Sequence, residues 1–160
     1  MRYMSFLIGM ALLGGCERAP EQPTETASEV DGPDSRDGIS VSDARLVLPV
    51  VDGRPGALYM TIVNDGASAA ELAAVYVESA ERVELHESKM DGGAMSMAAV
   101  DAIAVPAAGS VTLEQGGLHA MVFGLATDFA ADSTEITLIF ADGDKTSLDA
   151  SVTTVGEADN

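Results

Sequence analysis

From about Ile39 to Val155 the chain is a succession of short runs in which apolar and polar residues tend to alternate, each closed by Gly, Asn, Asp or Pro. Alternation with period two is the mark of a half-buried strand, because successive side chains point to opposite faces. The runs predict strands over Ala44 to Leu48, Tyr59 to Val63, Leu72 to Val77, Val83 to Glu87, Met97 to Val100, Val111 to Leu113, Leu118 to Phe123, Ile136 to Phe140 and Ser147 to Thr153. Turn signals fall between them: Asn64-Asp65-Gly66, Asp91-Gly92-Gly93 and Pro106-Ala107-Ala108-Gly109. Alanine is the best helix former, yet Ala67 to Ala74 is too short and too close to β-branched residues to predict a helix. Short strands at this spacing predict an all-β sandwich.

The first residues follow another pattern. Arg2 precedes an apolar run from Met4 through Leu13, then Gly14, Gly15 and Cys16. The run is too short for a good spanning helix and reads as an export signal over residues 1–15. Leu13-Gly14-Gly15-Cys16 resembles a bacterial lipobox, which makes Cys16 the expected lipidated N-terminus of a membrane-anchored, periplasm-facing protein. More than one acyl chain would hold it stably, since a single chain gives only reversible attachment. Residues 17–38 are rich in Glu, Pro, Thr, Ser, Asp and Gly and predict a flexible acidic tether, so that residues 16–38 link the anchor to one domain over 39–155, with 156–160 a tail.

Twenty-six acidic residues against eight basic ones give a net charge of −18. There is no Lys/Arg footprint with which to displace counterions from a phosphate backbone, so no nucleic-acid partner is expected. Solubility or a saline habitat accounts for such a charge without any specific partner. Cys16 is the sole cysteine. With it lipidated, a disulfide framework, a CxxC redox pair and a Cys-ligated blue-copper centre are all excluded.

The candidate chemistry lies in the two histidines. His86 is followed after ten residues by Met97, then after twenty-one by His119, and after one more by Met121. Imidazole nitrogen with thioether sulfur is a donor set for soft Cu(I) rather than for oxygen-preferring ions. On a strand His119 and Met121 share a face, opposite Leu118, Ala120 and Val122, and His86 shares one with Glu84, opposite Val83 and Leu85. Both histidines therefore sit on the side away from the apolar positions. Met90 and Met95 fall in the connection between His86 and Met97, where packing is the first expectation and spare thioethers for copper the second. Met60 is expected in the core. Glu84 and Glu87 read first as exposed strand polarity and second as groups that orient His86 or attract the ion, since carboxylates are poor direct ligands for Cu(I).

These segments resemble the periplasmic copper chaperones of the PCu(A)C family. The likeness rests on Glu84-Leu85-His86-Glu87, on Gly93 through Met97, on Gly116-Gly117-Leu118-His119-Ala120-Met121, and on the ten, twenty-one and one residue intervals. Tyr59-Met60-Thr61-Ile62-Val63-Asn64 is similar to a further strand of that family, so the likeness runs from about Ile39 to Thr153. It implies a cupredoxin-like, Greek-key β-sandwich that binds one Cu(I) through His86, Met97, His119 and Met121. It also implies delivery to the dinuclear copper centre of cytochrome c oxidase, alongside an oxidase subunit or a thioredoxin-like assembly factor. Two departures stand out: Glu114-Gln115 replaces a Lys-Pro or Arg-Pro pair, and Arg45 lacks the usual preceding tryptophan. Neither removes a ligand.

The expected activity is ligand exchange and not enzymatic catalysis. Neutral imidazoles and thioethers leave the charge of Cu(I) uncompensated, so a thiolate acceptor gains Coulombic attraction and gives transfer its direction. Protons compete for imidazole, so binding should weaken as pH falls through the range where free histidine titrates, about 6.5. Ser88 and Ser96 lack a nucleophile-elbow context, which argues against a serine hydrolase. Copper storage or scavenging would use the same ligands. A metal-free β-sandwich lipoprotein that binds an envelope component would share the fold, which cannot by itself decide function.

Overall fold

The computed structural model describes residues 35–126, 129 and 131–155. The expected signal peptide, Cys16, nearly all of the tether and the tail from residue 156 lie outside the described residues. Ten strands make up the regular structure there: β1 (Ile39–Leu48), β2 (Gly56–Asn64), β3 (Ala70–Val77), β4 (Arg82–Asp91), β5 (Ala94–Ala99), β6 (Ile103–Val105), β7 (Gly109–Leu113), β8 (Leu118–Phe123), β9 (Ser133–Phe140) and β10 (Lys145–Thr154). All nine predicted strands are present, most of them longer than their apolar runs. The one not predicted is β6, whose three residues are too few to show a period.

Hydrogen bonding runs in the order β5-β4-β8-β2-β1-β10-β9-β3-β6, with β7 also on β2. Every pairing is antiparallel except β1 with β10. The ladder folds over on itself, since β6 at its far end continues through Pro106-Ala107-Ala108 into β7 on β2. Asn64 fastens this closure: its amide donates to the carbonyl oxygens of Ser68 (2.9 Å) and Val105 (3.3 Å), and its Oδ1 accepts from Gly66 N–H (2.9 Å). The Asn64-Asp65-Gly66 turn is thus built by a side-chain hydrogen bond two residues on, not by positive φ.

The core follows the alternation. Along β2, Leu58, Met60 and Ile62 are buried, and along β9 so are Ile136, Leu138 and Phe140. Two bulges let the pattern change phase. In β1 the register shifts between Ser42 and Arg45, with Asp43 at φ 55°, so that Ile39 and Val41 before it and Leu46 after it all face inward. In β3 a shift between Leu72 and Ala74 lets Leu72 and Val75 both reach the core. Ala67 to Ala74 forms no helix, in agreement with the sequence reading.

Two features of β2 position the site. Its second half, Met60 to Asn64, pairs with β7, and its first half, Gly56 to Leu58, pairs with β8. Strands β7 and β8 therefore share one edge of β2, and the intervening Glu114-Gln115-Gly116-Gly117 is squeezed out as a tight turn. That turn is closed by Glu114 N–H to the Leu118 carbonyl (2.6 Å) and Gly117 N–H to the Glu114 carbonyl (3.2 Å).

Candidate metal centre

Strand β4 is the middle of a three-stranded patch, β5-β4-β8, that carries all four predicted ligands. Across β4 and β8, His86 is paired directly with His119, and Glu84 with Met121. Across β4 and β5, His86 is opposite Ala99, and Ser88 is opposite Met97. Directly opposed residues share a face of the sheet, so His86, His119, Met97 and Met121 all project to one side. The other side carries Leu85, Ala120 and Val122 into the core. His86 is the hub: His119 is its direct partner, while Met97 and Met121 are its diagonal neighbours on the two flanking strands, at roughly 7–8 Å between backbones and within reach of a long side chain.

The imidazole rings lie 5.9 Å apart between centroids, tilted by 33°. With metal–nitrogen bonds of about 2.0–2.1 Å, as in zinc sites, two imidazoles on one ion span at most roughly 6.4 Å between centroids, so the separation is compatible with sharing. His119 is buried, at 6% exposure, and its Nδ1 lies 3.0 Å from the Gly117 carbonyl oxygen. A carbonyl only accepts, so Nδ1 carries the proton and Nε2 keeps its lone pair. The same carbonyl accepts from Ser88 N–H at 2.9 Å, which fixes the turn against β4.

His86 is held from the opposite nitrogen. Its Nε2 donates to Glu84 Oε2 at 3.2 Å, and its Nδ1 is buried with no hydrogen-bond partner. Hydrogen bonds from His86 and then from Arg82 hold the Glu84 carboxyl below its ordinary value of 4.5, so it stays an ionised acceptor at neutral pH. Arg82 donates to Glu84 Oε1 at 3.0 Å while its guanidinium lies 4.0 Å from the centre of the Phe123 ring. A histidine whose second nitrogen is bound to a carboxylate or a carbonyl is the usual arrangement behind a metal-ligating imidazole. Here the two histidines use one of each.

The structure corrects three readings of the sequence. The connection between His86 and Met97 is no loop, because β4 continues to Asp91 and turns through Gly92-Gly93 into β5. Met90 and Met95 are opposed strand residues at 69% and 63% exposure, so they are not packing residues. Glu84 takes the second of its two readings, a partner of His86 and not bare strand polarity, whereas Glu87 pairs with Lys89 at 2.7 Å. The expectation for Met60 holds, since it is buried in the core. Met97 is the outermost of the four, 52% exposed on an edge strand. Among the described residues no three His, Cys, Asp or Glu side chains gather as a metal site, so any site here is completed by thioethers. The Gly117 carbonyl was not foreseen, because a main-chain oxygen has no signature in a sequence.

The sequence profile of the lipoprotein LpqE-like family matches residues 39–152. The chain belongs to that family. A comparison with curated proteins gives no match. Among solved structures, this LpqE-like chain is similar to a copper-bound PCuAC domain from PmoF2, with 24% identity, TM-score 0.61, and coverage of 73% of this chain and 93% of that one. It is also similar to Cu(I)-DR1885 from Deinococcus radiodurans, with 28% identity, TM-score 0.57, and coverage of 69% and 74% respectively. The all-β, cupredoxin-like fold and the PCu(A)C resemblance read from the motifs are borne out.

Proposed function

We propose that this LpqE-like protein is a copper chaperone of the cell envelope that binds one Cu(I) through His86, Met97, His119 and Met121. The observation that carries this is the pair of opposed imidazoles, each with one nitrogen engaged by Glu84 or Gly117 and the other left as a lone pair. Thioethers flank them diagonally on the same face. Two nitrogens and two sulfurs, all neutral, suit a soft monovalent ion. The similarity to copper-bound PCuAC domains supports the same reading.

Transfer proceeds by ligand exchange. The ion keeps its charge throughout, and each departing nitrogen or sulfur is replaced by a donor of the acceptor protein. A dinuclear copper centre with thiolate ligands, such as that of cytochrome c oxidase, is the expected acceptor because anionic sulfur outcompetes neutral ligands. Cys16, lipidated, would keep the domain at the membrane, with residues 17–38 as its tether.

Titration with Cu(I) under reducing conditions tests the site. One equivalent should bind, and His119→Ala or Met121→Ala should weaken binding by more than the roughly 10–100-fold that follows loss of an outer partner. The domain should remain folded in both variants. Incubation of the loaded protein with an oxidase subunit should move copper to the subunit, and no net transfer would overturn the delivery role.

A further inference from the structure

Met90 and Met95 are the most exposed large apolar residues of the metal-bearing patch, and they face each other across the β4–β5 hairpin. Two long thioethers held open to water in this way contribute little to the core. The hydrogen-bond alternation brings them closer than a generic pair. Val100 N–H bonds to the Leu85 carbonyl, whereas Ser88 N–H turns away from β5 to Gly117, so residues 85, 87, 89 and 91 of β4 bond to β5 while 86, 88 and 90 do not. Met90–Met95 is thus a non-hydrogen-bonded pair, the class in which side chains approach most closely, at about 4.5–5.5 Å between Cβ atoms.

The pair lies on the same face as the ligand set. Met97 is two residues beyond Met95, opposite Ser88, and His86 is two residues beyond Ser88. The first step, from Met95 to Met97, is roughly 7 Å along β5 at about 3.4 Å per residue, and the second, from Met97 to His86, is the cross-strand diagonal of roughly 7–8 Å. Methionine has three rotatable bonds before its methyl group and can swing between neighbouring positions. Gly92 and Gly93, at φ 58° and 88°, make the tight turn that sets the pair in register one position from the hairpin tip.

We propose that Met90 and Met95 form a second, weaker Cu(I) site at the hairpin tip, through which the ion enters and leaves by way of Met97. The proposal rests on the chaperone reading and adds a route to it. Two thioethers bind Cu(I) without the imidazoles that make the inner site stronger, so the station fills and empties readily. Passage is associative: Met97 sulfur joins the ion before a sulfur of the outer pair leaves, with no electron transferred and no proton released.

Cu(I) titration of the protein under reductant, followed through the methionine ε-methyl resonances, tests this. The first equivalent should shift Met97 and Met121, and a second, weaker one should shift Met90 and Met95. The Met90→Leu/Met95→Leu variant keeps apolar volume. It should lose the second equivalent, keep the first with unchanged affinity, and load more slowly from a Cu(I)-chelator complex. In His86→Ala/His119→Ala the outer methyls should still respond although the inner site is gone. If Met90 and Met95 respond while the wild-type inner residues never do, the outer site stands and the four-ligand reading falls. If Met97 and Met121 respond but the outer methyls do not, or if loading of the double leucine variant is as fast as wild type, the proposal is overturned.

Discussion

His86 and His119 face one another across the β4–β8 ladder with opposite nitrogens engaged, Nε2 of the first on Glu84 and Nδ1 of the second on the Gly117 carbonyl. Each ring is fixed in its tautomer by a group that can only accept. The consequence is a pair of orientated lone pairs in a partly buried setting, prepared before any ion arrives. Such preparation lowers the ordering cost of binding, because the rings need not be fixed at the moment of capture.

Removal of the Glu84 carboxylate should therefore weaken copper binding without touching a ligand. Glu84→Ala is expected to lower Cu(I) affinity by about 10–100-fold, as loss of an outer partner generally does. Glu84→Gln, whose amide oxygen still accepts from His86 Nε2, should lose less. Competition titration against a Cu(I) chelator measures both. Equal affinities for wild type and Glu84→Ala would show that the hydrogen bond has no bearing on the site.

Met60 in the core and Met97 on the patch should separate cleanly by stability. Met60 is buried among Leu58, Ile62 and Leu113, and Met60→Ala should cost about 2–5 kcal/mol of unfolding free energy. Met97→Ala, on a half-exposed edge strand, should stay within about 0.5 kcal/mol of wild type. Its effect should appear in copper affinity. Urea unfolding in the absence of metal distinguishes the two.

The hairpin that carries Met90, Met95 and Met97 depends on its turn. A Cβ at Gly93 would meet nothing, so Gly93→Ala carries no clash, only the cost of a left-handed backbone, about 1–2 kcal/mol. At Gly124, also at positive φ, a Cβ would additionally run into the Glu81 side chain. Gly124→Ala should thus be the more destabilising of the two in denaturant melts. Gly93→Ala should instead speed amide exchange in β5, which among the described residues pairs with β4 alone.

At high pH the fold should respond to Tyr59. Burial raises its phenol above the ordinary value of 10.0, opposed in part by Arg45, whose guanidinium lies 5.2 Å from the centre of the ring. A phenol with a folded value above its unfolded one binds its proton more tightly in the native state. Its contribution to stability is complete below the unfolded value of 10.0 and is lost as pH rises through the higher folded value. Unfolding measured across that alkaline range should show a fall in stability that Tyr59→Phe reduces.

Much of the architecture was legible because β-strands write their faces in alternate residues. The alternation along Leu58, Met60 and Ile62, and along Ile136, Leu138 and Phe140, marked core strands correctly. It also placed His86, His119 and Met121 on the non-core side, since each is two residues or one cross-strand partner from the next. Where the period fails, the reading failed with it. The three residues of β6 are too few to show one, and the polar second half of β4, Ser88 to Asp91, lies outside the apolar pattern although it forms strand with β5. Its hydrogen bonds are main-chain, and these leave no trace in side-chain type.

The order of residues alone supplied the candidate donors, two imidazoles and two thioethers on an acidic chain with a single cysteine, because donor type is a property of each side chain. It determined the face as well, because period two ties neighbours i and i+2 together. Only the tertiary structure decided which nitrogens are free, that Gly117 and Glu84 hold the rings, and that Met90 and Met95 stand opposed in the open. Those facts depend on register and turn closure between segments distant along the chain, and register is set by how whole strands pack, not by any residue taken singly.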